Sequence, residues 1–360
     1  MKISSTLLPA LAFLAISTQA LLAQGLSVYD DFTGTSLNTQ KWFNDATPVT
    51  VANSRARFRL TAAIKKEARS ELIAYEAFSG DFEFVLDFDK YSNTVKLGSG
   101  LELFVDGAEN PAASNKYVNL ELVSYYYSSQ YRIIKEFSTW MSDGKTETQF
   151  KGWPITATSG QMRIKRDTKG ISVYTRTGTQ TAFRLIKTWP NVLPKLVHVG
   201  ISTWSGGKTL NSSGKFAVDC DKISAAGKRI PGPINYGKNC HGILTAPAGL
   251  PSLGNANFGY FLGGNTQLAG SPTAMILGSN KQNLVLAPSA PACYLNTNPI
   301  LFMLGTILNK QGEGFVRLPV PNDKNLVGVN VKAQHLIIKL GINKLGLAFT
   351  QGVETKIFKL

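Results

Sequence analysis

The sequence predicts an all-β protein with two antiparallel β-sandwich domains, and three observations support this prediction. Residues 26–226 alternate apolar and polar side chains in short runs, which is typical of strands with one buried face. Turn signals such as Asp167-Thr168-Lys169-Gly170 separate these runs. No amphipathic helix pattern longer than three turns stands out. Many short strands joined by turns favour a sandwich.

Two runs show the alternation most clearly. Residues 55–60 place three arginines on one face and apolar side chains on the other. A second run places four acids opposite four apolar side chains, the acids being Asp81, Glu83, Asp87 and Asp89. We expect the arginines and the acids to pair across strands, where each direct pair contributes about 0.2–1 kcal/mol. The alternative is a catalytic carboxylate pair, because residues i and i+2 of a strand lie roughly 6.5–7 Å apart.

Composition restricts the class of partner. The 360 residues include 38 Lys and Arg against 23 Asp and Glu, a net charge of +15. A hydrophobic content of 43% is that of a folded protein, and three His residues argue against a His-built metal centre. No nucleic-acid-binding motif or dinucleotide fingerprint is present. The charge therefore indicates an acidic polymer or a cell surface as the anionic partner, and no nucleic acid is expected.

Residues 1–23 have the pattern of a signal peptide. Lys2 precedes an apolar run over residues 7–16, and small residues lead up to Gln24. The run is too short to span a membrane, which takes about 20 apolar residues. We therefore expect a secreted or cell-surface protein without a transmembrane segment, in a compartment that permits disulfides.

A Gly- and Pro-rich seam near residue 230 divides the rest of the chain. It predicts a first domain over 26–226, a linker over 227–235 and a smaller β-sandwich domain over 236–360. The positive charge is spread over both domains, so no single basic arm is predicted.

Ordered motifs in the first region resemble concanavalin A-like lectin/glucanase domains, including the laminin G-like group. The motifs are Tyr29–Trp42, Phe78–Glu83, Met162–Arg166 and Phe216–Asp219. The resemblance implies an antiparallel jelly-roll β-sandwich over residues 27–225. It also implies a structural calcium site at Asp31 and Asp219, in the matching first and last strands, because oxygen ligands suit Ca²⁺.

The catalytic motif of the glucanase members, Glu-x-Asp-x-x-Glu, is absent. The nearest run, from Glu102 to Glu109, has different spacings, and Glu109 does not share a strand face with Glu102 and Asp106. We therefore predict no catalytic residue from this run.

The second region is similar to a C-terminal β-domain appended to secreted proteins of planctomycetes. The matching segments are Tyr236–Cys240, Leu250–Asn255, Ala292–Leu295, Leu318–Asn322, Leu326–Gly328, Ala333–Gln334 and Leu345–Gly352. The resemblance implies an attachment or assembly module with a disulfide between Cys240 and Cys293, which occupy motif positions. Cys220 is then either a free buried thiol or a replacement for one of these partners.

Aromatic and polar residues on one strand face form the candidate ligand-binding site. Strand alternation puts Tyr117, Asn119 and Glu121 on the face opposite Val118 and Leu120. The complete candidate set is Tyr117, Asn119, Glu121, Tyr125, Tyr127 and Trp140. Aromatic rings stack on the C–H faces of sugars while amides and acids bind hydroxyls. The alternative is that these are ordinary strand aromatics, which β-sheets favour.

These observations predict a non-catalytic binding protein for glycan or another cell-surface ligand. A glycoside hydrolase or lyase that uses the acidic stripe of residues 81–89 is the first alternative. A structural envelope or extracellular matrix protein is the second.

Overall fold

The protein is all-β and its sheets are antiparallel, which confirms the predicted fold class. The computed structural model describes residues 25–62, 68–95, 98–107, 116–127, 132–205, 214–241, 243–263, 265–285, 293–298 and 302–359. The predicted signal peptide, residues 1–23, lies outside these ranges. Within them, no helix is both long enough and apolar enough to cross a membrane. Two short 3₁₀ helices, Thr266–Leu268 and Lys324–Leu326, occur in the second domain.

The described residues of the first domain form fifteen strands. They are β1 (Ser27–Asp30), β2 (Trp42–Ala46), β3 (Thr50–Val51), β4 (Ala56–Ala62), β5 (Ala68–Ala74), β6 (Ala77–Asn93), β7 (Ser99–Gly107), β8 (Lys116–Tyr127), β9 (Arg132–Asp143), β10 (Glu147–Pro154), β11 (Gly160–Asp167), β12 (Gly170–Thr177), β13 (Arg184–Trp189), β14 (Leu196–Ser205) and β15 (Gly214–Ile230).

These strands form two layers. The front sheet has the order β10-β9-β8-β7-β14-β5-β2, and the back sheet has the order β13-β12-β11-β6-β15-β4-β3. Strand β1 pairs with β15 beyond the end of β4. The layers are joined where Leu196 and Val197 of β14 pair with the start of β6.

One apolar core fills the space between the layers. Phe84 and Ile164 of the back sheet and Leu120 and Ile201 of the front sheet are fully buried in it. Each such side chain contributes about 1.5–3 kcal/mol through burial. Strand alternation therefore sends every second side chain of the front sheet to its outer face.

The Tyr29–Trp42 motif closes one end of this core. The Asp30 carboxylate accepts hydrogen bonds from Trp42 Nε1 at 2.7 Å and from the Phe32 backbone N–H at 2.8 Å. The rings of Tyr29 and Trp42 meet edge to face, with centroids 5.6 Å apart. The buried Asp30 carboxylate therefore links β1 to the start of β2.

The acids of β6 pair with cations, only partly as expected. Asp89 contacts Arg55 at 2.9 Å, which confirms one pair between the two alternating runs. The expectation of direct pairing across β4 and β6 is otherwise wrong, because β15 lies between these strands. Asp87 instead contacts Lys222 at 3.3 Å, and Glu83 contacts Arg163 at 3.0 Å.

The predicted linker at 227–235 is shorter in the structure. Strand β15 continues to Ile230, which pairs with Ala77, and so residues 227–230 belong to the back sheet. Gly227, which the sequence predicts to lie in the linker, has a positive φ of 131° and marks a register shift in β15. The non-strand connection is Pro231–Pro233.

The described residues of the second domain form three smaller sheets. Its strands are β16 (Ile234–Tyr236), β17 (Leu244–Ala248), β18 (Gly259–Gly263), β19 (Pro272–Gly278), β20 (Asn280–Val285), β21 (Tyr294–Asn298), β22 (Phe302–Ile307), β23 (Gly314–Arg317), β24 (Asn330–Ile338), β25 (Leu347–Phe349) and β26 (Gly352–Lys356). A six-stranded sheet, β16-β26-β24-β19-β22 with β25 on β24, accompanies the sheets β17-β18-β23 and β20-β21.

A disulfide between Cys240 and Cys293 lies in the core of the second domain, as the family resemblance implies. Both cysteines are buried beside Phe349, whose backbone N–H lies 3.1 Å from Cys240 Sγ. Cys220 is the free buried thiol, so it does not replace either partner.

The two domains contact each other through a small apolar cluster. Ala77 and Leu196 of the first domain pack with Leu250 and Phe358 of the second and with Ile230 of β15. A pair of hydrogen bonds accompanies the cluster, because the Gln40 amide donates to and accepts from the Asn235 backbone at 2.8 and 3.0 Å.

Removal of the disulfide is expected to destabilise the second domain alone. In the Cys240→Ser, Cys293→Ser double variant, the free energy of unfolding of this domain should fall by about 4 kcal/mol, the loop-entropy value for a separation of 53 residues. All five tryptophans belong to the first domain. The denaturant unfolding transition reported by tryptophan fluorescence should therefore be unchanged. The transition in far-UV circular dichroism, which reports both domains, should split into two. An equal shift of both transitions would contradict this independence.

Candidate functional site

Polar side chains cross the outer face of the front sheet in one row, which we call the acidic row. It consists of Glu71, Ser202, Glu102, Glu121 and Ser138, on β5, β14, β7, β8 and β9 in that order. Each member is directly opposite the next in the strand register. Three of the five carry carboxyl groups, so the sheet register assembles an acidic site that no single strand contains.

The outward direction of this row follows from the apolar residues beside it. Leu101 and Leu103 flank Glu102 on β7, and Leu120 and Leu122 flank Glu121 on β8; all four are completely buried. Because neighbouring residues of a strand point to opposite faces, burial of the leucines forces both glutamates outwards.

Asn119 joins the two opposed glutamates. Its amide Nδ2 donates to Glu102 Oε1 at 2.5 Å and to Glu121 Oε1 at 3.3 Å. Its Oδ1 accepts the backbone N–H of Trp140 at 2.8 Å. Asn119 is buried and uses both ends of its amide, so it holds the two carboxyl groups side by side.

Trp140 is fixed next to this pair. Its indole Nε1 donates to Glu121 Oε2 at 3.2 Å, and the hydroxyl of Ser138 donates to the same oxygen at 3.0 Å. The indole is half-buried, so part of the ring remains accessible on the outer face. The side chain is therefore a preoriented aromatic surface beside two carboxyl groups.

The pKa values of the two glutamates are raised. Burial and the neighbouring Glu121 charge raise the pKa of Glu102 from 4.5 to about 7, although the Asn119 hydrogen bond and Arg69 oppose this. Burial also raises the pKa of Glu121, against the donors Ser138, Trp140 and Asn119. Because Glu121 accepts more hydrogen bonds, we assign the shared proton of the pair to Glu102.

Two further aromatic rings lie flat on the same face, each over a glycine. Phe104 covers Gly200, where an added Cβ would lie 2.1 Å from the ring. Trp204 covers Gly100, where an added Cβ would lie 2.7 Å from Nε1. The absence of side chains at these glycines lets both rings lie close to the sheet next to the acidic row.

A cleft of about 440 Å³ lies between the two domains, and Asp106 on the outer face of β7 lines it. Its floor includes Asp106 of β7 and His198 of β14, which are directly opposite each other, and Leu250 and Phe261 of the second domain belong to its walls. Burial and the charge of Glu71 raise the pKa of Asp106 to about 7. Burial lowers the pKa of His198, whose Nδ1 lies 3.2 Å from the Glu76 carbonyl.

The structure brings together four of the six predicted ligand-binding residues. Asn119, Glu121 and Trp140 are in mutual contact, and Tyr117 is on the same face, where its hydroxyl donates to Glu147 Oε1 at 2.9 Å. Burial and this acceptor raise the pKa of Tyr117.

The two remaining candidates lie towards the far end of β8. The ring of Tyr125 is 5.9 Å from Lys151 Nζ. The side chain of Tyr127 lies outside the described part of the chain, although its backbone pairs with Arg132.

The two predicted calcium ligands, Asp31 and Asp219, have different surroundings. Asp219 is buried and contacts Arg59, with Lys90 at 3.6 Å and Arg55 at 3.9 Å. Asp31 is exposed, and its carboxylate accepts the Thr33 backbone N–H at 3.3 Å. The guanidinium and ammonium groups around Asp219 already neutralise its charge. As placed, these residues do not fit a calcium ion, and we derive no function from one.

Sequence reasoning identifies one member of the acidic row and misses the others. Glu121 is among the predicted residues, whereas Glu102, Glu71 and Ser202 join it only through the pairing of four strands. The one available signal is the alternation around Glu102, which places it outward. Its partner cannot be found from the spacing of acids along β7.

The raised pKa of Glu102 predicts a pH-dependent stability. A carboxyl group that titrates at 4.5 when unfolded and at about 7 when folded lowers the free energy of unfolding as pH rises between these values. Glu102→Gln should remove this loss, so the variant should be more stable than the wild type at about pH 8 and gain little below about pH 4. Urea unfolding across this range measures the difference. A pH-independent difference, or the same effect in the back-sheet control Glu83→Gln, would contradict the assignment.

Comparison with known proteins gives only distant structural similarity. No protein-family model and no curated protein matches the chain. A glycoside hydrolase family protein from Mycobacterium thermorestibile is 13% identical over 55% of this chain and 98% of its own, with a TM-score of 0.41. LamAcat from Zobellia galactanivorans is 13% identical over 57% and 98%, with a TM-score of 0.40. A legume lectin-like domain from Entamoeba histolytica is 14% identical over 52% and 90%, with a TM-score of 0.38.

Proposed function

We propose that the outer face of the front sheet binds a glycan, and that the protein is a secreted binding protein. The observation that carries this proposal is the fixed arrangement of Trp140 beside the Asn119-linked pair Glu102 and Glu121. A sugar presents C–H groups on the faces of its ring and hydroxyl groups around its edge. An aromatic ring stacks on the C–H groups, and adjacent carboxyl and amide groups accept hydrogen bonds from the hydroxyls.

The local charge narrows the class of glycan. Although the chain carries a net charge of +15, the acidic row presents three carboxyl groups on this face. An acidic polysaccharide would bring like charge to these groups. The front face therefore favours a glycan without acidic groups, and any acidic polymer would bind elsewhere on the cationic surface.

The second domain is proposed as an attachment or assembly module. Its support is the resemblance of its ordered motifs to the C-terminal domain of secreted planctomycete proteins, together with the buried Cys240–Cys293 disulfide. A structural disulfide fits an oxidising compartment, which agrees with the signal-peptide pattern of residues 1–23.

Glycoside hydrolysis is the second candidate, and the opposed glutamates favour it. Glu102 with a pKa of about 7 is suited to donate a proton to a glycosidic oxygen. Glu121, held by three donors, is suited to remain a carboxylate as nucleophile or base. The back-sheet acids do not support this activity, because Glu83, Asp87 and Asp89 each contact a cation.

A polysaccharide pull-down panel with Trp140→Ala tests the binding proposal. The wild type should bind neutral glycans, and Trp140→Ala should weaken this binding about tenfold or more through loss of stacking. The matched control is Phe315→Ala, which removes an aromatic side chain that is 41% exposed in the second domain. Sugar release is followed in the same tubes.

Two outcomes would contradict the proposal. Equal loss of binding in Phe315→Ala would place the site outside the front sheet. Binding that survives Trp140→Ala unchanged would exclude this face. Release of sugars that disappears in Glu102→Gln would instead identify the protein as the hydrolase, with the same residues at its centre.

A further inference from the structure

Four apolar side chains are exposed at one end of the six-stranded sheet in the second domain. Leu340 is 90% exposed and Ile307 is 69% exposed, while Ile338 and Leu345 are 47% and 42% exposed. We call these four residues the apolar tip. Single exposed apolar side chains are ordinary on a protein surface, whereas a contiguous group of them marks an interaction surface. The positions of the four residues relative to one another therefore decide what the tip can bind.

The strand register places the two isoleucines on the same face of the sheet. Ile307 of β22 is directly opposite Pro272 of β19. On the other side of β19, Thr273 is paired with Ile337, so Pro272 is next to Ile338 of β24. Neighbours in one row across a sheet point to the same face. At the usual strand spacing, the two isoleucines lie about 10 Å apart.

Leu340 and Leu345 belong to the turn that joins β24 to β25. The Lys339 backbone N–H donates to the Gly346 carbonyl at 2.8 Å, so the leucines next to this pair in the turn are adjacent. Asn343 fixes the turn, because its Oδ1 accepts the backbone N–H of Leu345 at 3.0 Å. The leucines are therefore held in a defined arrangement, at the same end of β24 as the two isoleucines.

The chain around the tip is cationic. Lys339 and Lys344 belong to the same turn, and Lys344 is exposed. Residues 324–353 include four lysines and no Asp or Glu. The ion pairs formed by described side chains of the second domain involve Glu354, and neither lysine of the turn takes part in them. The leucines of the tip are therefore flanked by positive charge that no acid of the same segment neutralises.

The acid closest to Ile307 along the chain belongs to another surface. Glu313 lines the cleft between the domains, and its Oε2 accepts a hydrogen bond from Asn309 Nδ2 at 3.1 Å. Lys310 follows Asn309 and brings a positive charge to the same turn. The turn after β22 therefore adds no net negative charge to the tip.

We propose that the apolar tip inserts into a lipid bilayer with anionic headgroups, so that the second domain attaches the protein to a membrane surface. This inference rests on the proposed attachment role of the second domain and names its partner. Apolar side chains enter the boundary between headgroups and acyl chains, while lysines beside them remain among the headgroup phosphates.

The charges argue against a second copy of the chain as the partner. A two-fold contact through the tip would bring Lys339 and Lys344 of both copies together, where like charges repel. An anionic bilayer instead supplies an apolar interior for the leucines and phosphate groups for the lysines.

Both kinds of side chain should contribute to membrane binding. A lysine near an anionic surface strengthens binding about fivefold. Transfer of a largely exposed leucine from water into an apolar environment strengthens binding about tenfold or more. The contribution of the lysines is screened by salt, whereas that of the leucine is not.

The test follows the position of Leu340, because the net charge of +15 would bring any part of the chain to an anionic surface. The full chain is prepared as Leu340→Cys and labelled with the polarity-sensitive fluorophore nitrobenzoxadiazole. Cys220 is buried and the other two cysteines form the disulfide, so the label reacts at the introduced thiol. Vesicles of phosphatidylcholine and phosphatidylglycerol in equal parts should shift its emission to shorter wavelength and increase it severalfold.

The matched control is Leu185→Cys with the same label. Leu185 is 47% exposed on β13 of the first domain, and the cations Arg184 and Lys187 are close to it in the chain. It has a similar apolar and cationic setting, and its label should stay in water while the label at the tip enters the bilayer. Both variants contain residues 1–23, so the apolar run of that segment cannot produce a difference between them.

Vesicle sedimentation of unlabelled variants separates the two contributions. Leu340→Ser should weaken binding to the mixed vesicles about tenfold or more and leave its salt dependence unchanged. The double variant Lys339→Gln, Lys344→Gln should weaken binding about 25-fold and reduce its salt dependence. Leu185→Ser should bind as the wild type does.

The outcomes separate this inference from the proposed functions. A label at Leu340 that stays in water, or binding that Leu340→Ser leaves unchanged, overturns membrane insertion. If the tip variants instead abolish self-association in sedimentation velocity, the second domain is an assembly module and the membrane inference is wrong. If they change neither property, an attachment or assembly role of the tip is wrong as well. Glycan binding at Trp140 is measured without vesicles, so it is decided independently.

Discussion

The cross-strand register of the front sheet is the constraint on which the site depends. Burial of the leucines on either side of Glu102 and Glu121 fixes which face each glutamate occupies, and the pairing of β7 with β8 fixes that they are opposite each other. A shift of one residue in either strand would turn its acid into the core, where an unpaired charge is strongly unfavourable. The energy that specifies the site therefore comes from the apolar core on the other side of the sheet.

Charges are arranged differently on the two sheets. Three acids of β6 on the back sheet contact cations, as in the contacts of Asp89 with Arg55 and of Glu83 with Arg163 of the adjacent β11. The glutamates at the centre of the front sheet are held by neutral donors such as Asn119 and Ser138, which lower their pKa values, but burial raises these pKa values by more. The back-sheet pairs stabilise the fold, whereas the front-sheet pair remains available to a ligand.

Local sequence patterns predict most of the fold and about half of the site. Alternation identifies the strand face of Tyr117, Asn119 and Glu121, because each strand obeys the period-two rule independently of its neighbours. The same rule cannot show that Glu102 meets Glu121, since that depends on which strands pair and in which register. The predicted linker is wrong at residues 227–230 for a related reason. Gly227 is compatible with a loop in the sequence, but it belongs to β15 because this strand pairs with the long strand β6.

The most direct test of the account is a crystal structure of the full chain with a bound oligosaccharide. We predict a sugar ring stacked on Trp140, with polar groups of that sugar within hydrogen-bond distance of Glu102 or Glu121. Ligand density in the cleft between the domains or on the back sheet, with the front face empty, would contradict it.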